Sequence, residues 1–184
     1  TGRSKGAALT HRNLASNALA LVEAWGFTRG DVLVHALPIY QLYKDAVKLF
    51  AEAKAMKVHT ALDTNGYYGD RLSDAELETI DLVLLDIKAW DNERHRRLTG
   101  MDIGPTLDFA RRLAARKKPV WVRFVLVPGL TDDKEIVGPI ADFAASLGNV
   151  ERVEVLPFHQ MGRFKWEKLG LDYTLEGVKA PSNE

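Results

Sequence analysis

The sequence predicts an α/β fold built on a parallel sheet of about five strands. Five short runs are rich in aliphatic and β-branched residues, and helical patterns separate them. The runs recur every 25 to 40 residues or so, at roughly the spacing of repeated βα units. This pattern fits either a partial (β/α) barrel of the TIM type or an open doubly wound sheet. In both architectures, ligands gather at the carboxyl ends of the strands.

The predicted strands are almost continuously apolar, as strands buried on both faces of a parallel sheet are. They are VLVHAL at 32–37, VHTALD at 58–63, LVLLDI at 82–87, VWVRFVLV at 120–127 and RVEVLP at 152–157. Arg123 stands inside the otherwise apolar fourth run.

Caps and apolar faces mark the helical segments between these runs. Thr10 caps a first helix that ends at Gly26, and Ser73 with Glu76 forms a capping box that opens a short helix. The remaining predicted helices span 43–56, 105–117 and 134–147.

Composition excludes several classes of function. The 184 residues carry 25 Lys and Arg against 25 Asp and Glu, so the balance of charge gives no indication of nucleic acid or an anionic membrane as a partner. No apolar run reaches the roughly 18 residues of a membrane span, and a cytoplasmic location is expected. A single domain over 1–184 suits this length. The chain contains no cysteine, so it offers neither disulfides nor thiolate ligands.

Polar side chains follow several predicted strands at the point where each strand ends. Asp63 and Thr64 end the second strand, Asp86 and Lys88 the third, and His159 follows the fifth. A rim of this kind suits a zwitterionic amino acid, with Lys88 for its carboxylate and Asp63 or Asp86 for its cation. Convergence at one sheet edge favours an ancestral small-molecule site.

Each of these residues also has a structural interpretation. The segment 63–66 is a good Asx-type turn, with glycine where a left-handed conformation is needed. Asp86 and Lys88 fall on the same strand face and can pair with each other. A lone histidine such as His159 is most often structural, and Arg123 is expected to neutralise a buried carboxylate.

From about Gln41 onward, four segments carry a family resemblance. They are LFAEAKAMKVHTALDTNGY, DLVLLDIKAWDNERHRRLTG, WVRFVLVPGLTDD and GNVERVEVLPFHQMGRFKWEKLGLDY. In this order and spacing the sequence resembles pyruvate formate-lyase activating enzymes, the radical S-adenosylmethionine (SAM) proteins that install a glycyl radical. The resemblance implies a partial (β/α) barrel, SAM as cofactor and a glycyl radical enzyme as partner.

The resemblance also implies roles for individual residues. Asp86, Ile87 and Lys88 match the family's SAM-contacting strand end, with Lys88 near the methionyl carboxylate. His159 matches the histidine beside the adenosine. Arg123 matches an arginine on the strand that leads to the VPG segment.

A monovalent cation beside SAM is a further implication of the resemblance. Asp63 and Thr64 match the DTNG segment that, together with Asp86, holds this cation. The other histidines of the chain share no metal-ligand spacing.

The departures from the family predict a loss of chemistry. The family's CxxxCxxC segment, whose three cysteines ligate a [4Fe–4S] cluster, has no counterpart here. That cluster donates the electron that cleaves SAM and chelates the amino and carboxylate groups of SAM. We therefore expect a catalytically inactive derivative with at most a residual SAM half-site. The Gly-Gly-Glu segment after the family's second strand is also missing, and ALPIY stands in its place.

Residues 1–40 resemble a different family. TGRSKG at 1–6 and LPIY at 37–40 look like parts of AMP-forming acyl-CoA synthetases of the malonyl-CoA type, although the phosphate loop lacks its preceding Ser, Thr and Gly residues. TGRSKG also differs from the GxxxxGK[ST] loop. The expectation is a chimera of this segment with a radical SAM part at 41–184, made by engineering, recombination or an error of sequence assembly.

Three functional hypotheses follow from the sequence. The first is an inactive radical SAM activase derivative that retains weak SAM binding. The second is a structural chimera or scaffold with no ligand. The third is an acyl-CoA ligase fragment. A split enzyme completed by a second polypeptide is disfavoured, because the foreign segment occupies the place of native barrel elements.

Overall fold

The computed structural model describes residues 32–36 and 43–181, in which strands and helices alternate along the chain. The strands are β1 (Val32–Ala36), β2 (His59–Thr64), β3 (Leu82–Asp86), β4 (Val120–Leu126) and β5 (Val150–Pro157). The helices are α1 (Tyr43–Ala55), α2 (Asp74–Leu77), α3 (Asn92–Thr99), α4 (Gly104–Ala115), α5 (Lys134–Leu147) and α6 (Arg163–Leu169), with 3-10 turns at Gly69–Arg71 and Gln160–Gly162. The predicted α/β class is confirmed. None of the described helices combines the length and the apolar character that a membrane crossing requires.

The sequence patterns locate each predicted strand to within two residues of its observed ends. Two helices, α3 and α6, were not predicted. Helix α3 is nearly all polar, and His95 is its buried residue, so it lacks the apolar periodicity of a core helix. Its ends do carry signals, because Asp91 accepts the Arg94 N–H at 2.8 Å and Gly100 adopts a φ of 74°. The predicted helix from Thr10 lies outside the described residues.

Two compact units make up the chain. The first comprises Thr1–Leu62 and Ser73–Asp81, and the second comprises Asp63–Leu72 and Leu82–Glu184. In the first unit β1 and β2 are neighbouring strands. In the second unit β3 pairs with β4 and β4 with β5, both in parallel.

Within each unit, strands that neighbour each other in the sheet are neighbours along the chain. This is the singly wound order of a (β/α) barrel, whereas a doubly wound sheet reverses its strand order. Consecutive strands in sequential order also occur within one half of a doubly wound sheet, so the order inside each unit is compatible with both predicted architectures. The single domain predicted over 1–184 stays a prediction.

In the first unit, Asp81 in the loop before β3 forms hydrogen bonds with both strand β2 and helix α1. Its carboxylate accepts the Thr60 N–H at 3.0 Å and the Thr60 hydroxyl at 3.1 Å, and Lys54 Nζ donates to it at 2.5 Å. Burial raises the pKa of Asp81, but the hydrogen bonds from Lys54 and Thr60 outweigh burial. The pKa of Asp81 therefore lies below its ordinary value of 3.8.

In the second unit, a close approach between backbone and ring fixes the loop after β2. Gly69 is buried, and a Cβ atom built on it would lie 2.2 Å from the ring of Phe109 on α4. Arg112 Nη1 donates to the Gly69 carbonyl at 3.0 Å. The loop can therefore lie against α4 only with glycine at this position.

Gly69→Ala is expected to destabilise the protein by about 2 kcal/mol, because the added methyl group overlaps the Phe109 ring. The measurement is the free energy of unfolding from urea denaturation. Gly162→Ala is the matched control, since a Cβ at this position before α6 meets nothing within 4 Å and its φ of −83° is one that alanine adopts. Equal effects of the two substitutions would contradict the close approach.

The stability difference between wild type and Asp81→Asn is expected to depend on pH. A carboxyl group whose pKa is lowered on folding stabilises the protein above the pKa of the unfolded state and loses this contribution as the pH falls through the folded pKa. The wild type is thus the more stable at neutral pH, and the difference shrinks as the pH drops below about 4. Urea denaturation across a pH series measures it. Asp108→Asn, at a carboxylate exposed on α4, serves as the control and is expected to change little.

Candidate functional site

A row of charged residues crosses three parallel strands of the second unit. The strand register places Asp86 on β3 opposite Arg123 on β4, and Arg123 opposite Glu154 on β5. Because side chains alternate between the two faces of a strand, residues at matching register positions share one face. The row therefore gathers three ionisable groups on one side of the sheet.

Arg123 is the centre of this row and binds two carboxylates. Its Nη1 donates to Asp63 Oδ2 at 2.6 Å, and its Nε lies 3.8 Å from Glu154 Oε2. The three side chains are 22%, 22% and 29% exposed, which places this cluster at the edge of the core. Nε itself is buried and has no hydrogen-bond partner. Arg123 thus neutralises a half-buried carboxylate, and one of its donors remains unsatisfied.

The turn after β2 is held by its own side chains. Thr64, which is buried, accepts the Gly66 N–H at 3.0 Å through Oγ1, and Asn65 Oδ1 accepts the Tyr67 N–H at 3.1 Å. The Thr106 hydroxyl of α4 donates to the Asn65 carbonyl at 2.7 Å. Gly66 has a φ of 70°, the left-handed conformation that glycine adopts without strain. The predicted turn is present, and it fixes Asp63 at its entrance.

Asp86 and Lys88 form an ion pair at the end of β3. Lys88 Nζ donates to Asp86 Oδ2 at 3.0 Å, and the two side chains are 38% and 26% exposed. Ile87 between them is fully buried, and its N–H donates to the Arg123 carbonyl at 3.0 Å. The backbone of this segment is therefore fixed, while the two charged side chains reach solvent.

His159 stands apart from these pairs. It caps the 3-10 turn Gln160–Gly162, and its exposed ring accepts the Met161 N–H through Nδ1 at 3.4 Å. Among the described residues, the His159 side chain bonds this backbone group rather than another member of the predicted site. The structure thus brings together Asp63 with Arg123, and Asp86 with Lys88, through direct bonds.

Sequence reasoning missed Glu154 as a member of the site. The pattern VERVEVLP does carry a signal, because polar and apolar residues alternate in it and a partly buried carboxylate in a strand needs a partner. Assigning Arg123 as that partner requires the register between β4 and β5. Within the described residues, no group of three or more His, Cys, Asp or Glu side chains is placed to hold a metal ion.

Comparisons with known proteins agree on one family. The model of the radical SAM superfamily matches residues 3–137. Pyruvate formate-lyase-activating enzymes of Staphylococcus aureus strains USA300 and N315 are each 49% identical to the chain over 143 residues, which is 74% of this chain and 57% of the relative. The chain therefore spans little more than half the length of these curated relatives.

Solved structures share the fold at low sequence identity. A domain of a pyruvate-formate lyase-activating enzyme from Bacteroides vulgatus superimposes with a TM-score of 0.64 at 19% identity, over 84% of this chain and 87% of that chain. SuiB of Streptococcus suis bound to S-adenosylmethionine gives 0.64 at 14% identity, over 96% of this chain and 44% of that one. These similarities show the fold alone. Because the family model matches residues 3–137, the chain belongs to the radical SAM superfamily.

Proposed function

We propose that this chain is a relative of the pyruvate formate-lyase-activating enzymes that binds SAM and does not cleave it reductively. The proposed binding surface, called the charged edge below, consists of Asp63, Asp86, Lys88 and Arg123. The pairs Asp63–Arg123 and Asp86–Lys88 carry the proposal, since they offer both signs of charge next to an unsatisfied buried donor. The 49% identity to the activating enzymes of S. aureus supports the same ligand class.

The residues at this edge fit the charged groups of SAM. The methionyl part of SAM carries an ammonium and a carboxylate, and its sulfonium is a further cation. We assign Lys88 to the carboxylate, and Asp86 to a cationic group, because both side chains reach solvent from a fixed backbone. The buried Arg123 Nε is a second donor for an anionic or carbonyl oxygen, and this contact requires the Arg123 side chain to move toward the ligand. His159 is assigned to the adenosine end, and Ile87 to apolar support beneath it.

The residues of this chain do not fit an iron–sulfur cluster. Such clusters are held by cysteine thiolates, and the 184 residues contain no cysteine. No electron transfer to SAM is therefore assigned to these residues. Binding and orienting the ligand is the activity that remains.

A monovalent cation held by Asp63, Thr64 and Asp86 is part of the proposal. Both carboxylates already accept a hydrogen bond from a cationic side chain, Asp63 from Arg123 and Asp86 from Lys88. An added cation therefore competes with these side chains for the same oxygens.

The partner implied by the relatives is a glycyl radical enzyme, with no nucleic acid or membrane involved, and the implied location is cytoplasmic.

Two alternatives give different results in binding experiments. A scaffold without a ligand binds no SAM. An acyl-CoA ligase fragment, in a chimera joined near residue 40, binds ATP through 1–6, which lie outside the described residues. The radical SAM model matches residues 3–137 and so continues across the proposed junction near residue 40. This match therefore lends the chimera no support.

Titration calorimetry with SAM is expected to give saturable binding that Lys88→Ala and Asp86→Ala each weaken by about tenfold, the equivalent of one charged contact. Arg111→Ala and Asp108→Ala remove a comparable ion pair on the surface of α4 and are the controls, with unchanged affinity expected. Absence of saturable heat at millimolar SAM would leave the scaffold interpretation. Saturable binding of ATP in its place would favour the ligase.

Arg123→Met is expected to destabilise the fold by roughly 1–3 kcal/mol, because it leaves the Asp63 carboxylate without its charged donor. Adding Asp63→Asn is expected to recover part of this loss, as two residues that share one interaction do not act additively. Urea denaturation of both single variants and the double variant measures the coupling. Arg96→Met, at an exposed ion pair with Asp102, is the control.

The same double variant separates the structural role of Arg123 from a role in binding. If the Nε donor contacts SAM, the refolded and stable double variant binds SAM more weakly than Asp63→Asn alone does, a comparison in which the loss of the Asp63 carboxylate is common to both proteins. An unchanged affinity would restrict Arg123 to holding the sheet together.

A further inference from the structure

Strand β5 ends the order of strands and is unusually exposed for a parallel strand. Its hydrogen-bonded partner among the described residues is β4. Val153 and Val155 are 48% and 54% exposed, although strands of parallel sheets are normally covered on both faces. An edge strand with apolar side chains is a template for pairing with a further strand.

No strand of the described ranges 32–36 and 43–181 pairs with the outer backbone side of β5 at these two valines. The Phe158 N–H donates to the Leu126 carbonyl at 3.0 Å, and Leu126 lies opposite Pro157. In a parallel pair, alternate residues direct both N–H and C=O to the same neighbour. Residues 154, 156 and 158 therefore face β4, and Val153 and Val155 direct their backbone groups to the outer edge.

We propose that β5 pairs edge to edge and antiparallel with β5 of a second copy of this chain, with Val153 of one copy opposite Val153 of the other. In this register the outward N–H and C=O groups of Val153 form a hydrogen-bonded pair across the two-fold axis. The proposal does not depend on the ligand of the charged edge.

Charge complementarity selects both the partner and the register. With Val153 at the centre, Arg152 of each copy lies opposite Glu154 of the other, which gives two attractive pairs. Shifting one strand by two residues places Glu154 opposite Glu154, or Arg152 opposite Arg152. Like charges directly opposite each other destabilise an antiparallel pair.

The charged side chains are already held on the face where they would meet the second copy. The Arg152 guanidinium lies 4.0 Å from the centre of the Trp121 ring and 3.5 Å from Glu154 Oε1. Charges on an edge strand usually prevent association, but these charges are complementary to their own copy in one register. The pairing is short, because Pro157 has no N–H to donate, so the dimer is weak.

Sedimentation equilibrium of the wild-type chain is expected to show a mass that rises with concentration from one chain toward two. Arg152→Glu is expected to remain monomeric at the same concentrations, because the substitution places carboxylates opposite each other. Lys134→Glu makes the same change of charge at the exposed start of α5 and is expected to dimerise like wild type. A wild-type chain that stays monomeric up to roughly 1 mM, the weak end of specific association, would overturn the proposal. Equal dimerisation of Arg152→Glu would overturn it too.

Single cysteines test the register, since the chain has none of its own. In the proposed pairing the two Val153 Cα atoms lie about 5.5 Å apart, within the range of a disulfide. The two Val155 Cα atoms are displaced by four residues, or roughly 13 Å. Under mild oxidation Val153→Cys is therefore expected to form a covalent dimer and Val155→Cys to stay monomeric. Equal cross-linking of both variants would indicate random collision and overturn the register.

Discussion

The ion pairs of Arg123 constrain the second unit more than any other interaction at its charged edge. A guanidinium inside an apolar strand has to be neutralised, because leaving a largely buried charge without its partner costs a large share of the stability of a domain. Asp63 and Glu154 supply the carboxylates, at 2.6 and 3.8 Å from the nearest guanidinium nitrogens. They come from different strands, so the end of β2, the middle of β4 and the middle of β5 have to lie within reach of one side chain.

The register between β4 and β5 is consistent with this constraint. At the start of the pair Val120 lies opposite Val150, and that register would place Val153 opposite Arg123. A shift between Val120 and Trp121 moves the pairing by one residue, so that Glu154 lies there instead. Because side chains alternate along a strand, a one-residue slip exchanges the side chains on each face. The irregularity thus puts a carboxylate, rather than a valine, beside the guanidinium.

The local part of this architecture was predictable, and the long-range part was not. Runs of apolar residues located the strands, and the Ser73–Glu76 capping box begins a helix as expected. Arg123 was expected to neutralise a carboxylate, but its partners depend on a sheet register that no local pattern encodes. The contact of Gly69 with Phe109 is likewise non-local. Helix α3 escaped prediction because its stability rests on its ends and on His95, whose ring bonds the Met101 carbonyl at 2.7 Å, rather than on an apolar face.

Glu154 lies between the charged edge and the outer side of β5. Its Oε2 lies 3.8 Å from Arg123 Nε, and its Oε1 lies 3.5 Å from Arg152 Nη1. One carboxylate oxygen therefore contacts the site, and the other contacts a side chain at the strand edge. A second guanidinium arriving from another copy would draw this carboxylate outward and weaken its hold on Arg123. The buried Nε would then depend still more on a ligand oxygen for its partner. Two events that change the partners of one carboxylate are thermodynamically coupled, and the coupling is reciprocal. SAM binding and strand pairing are therefore expected to influence each other through this one side chain.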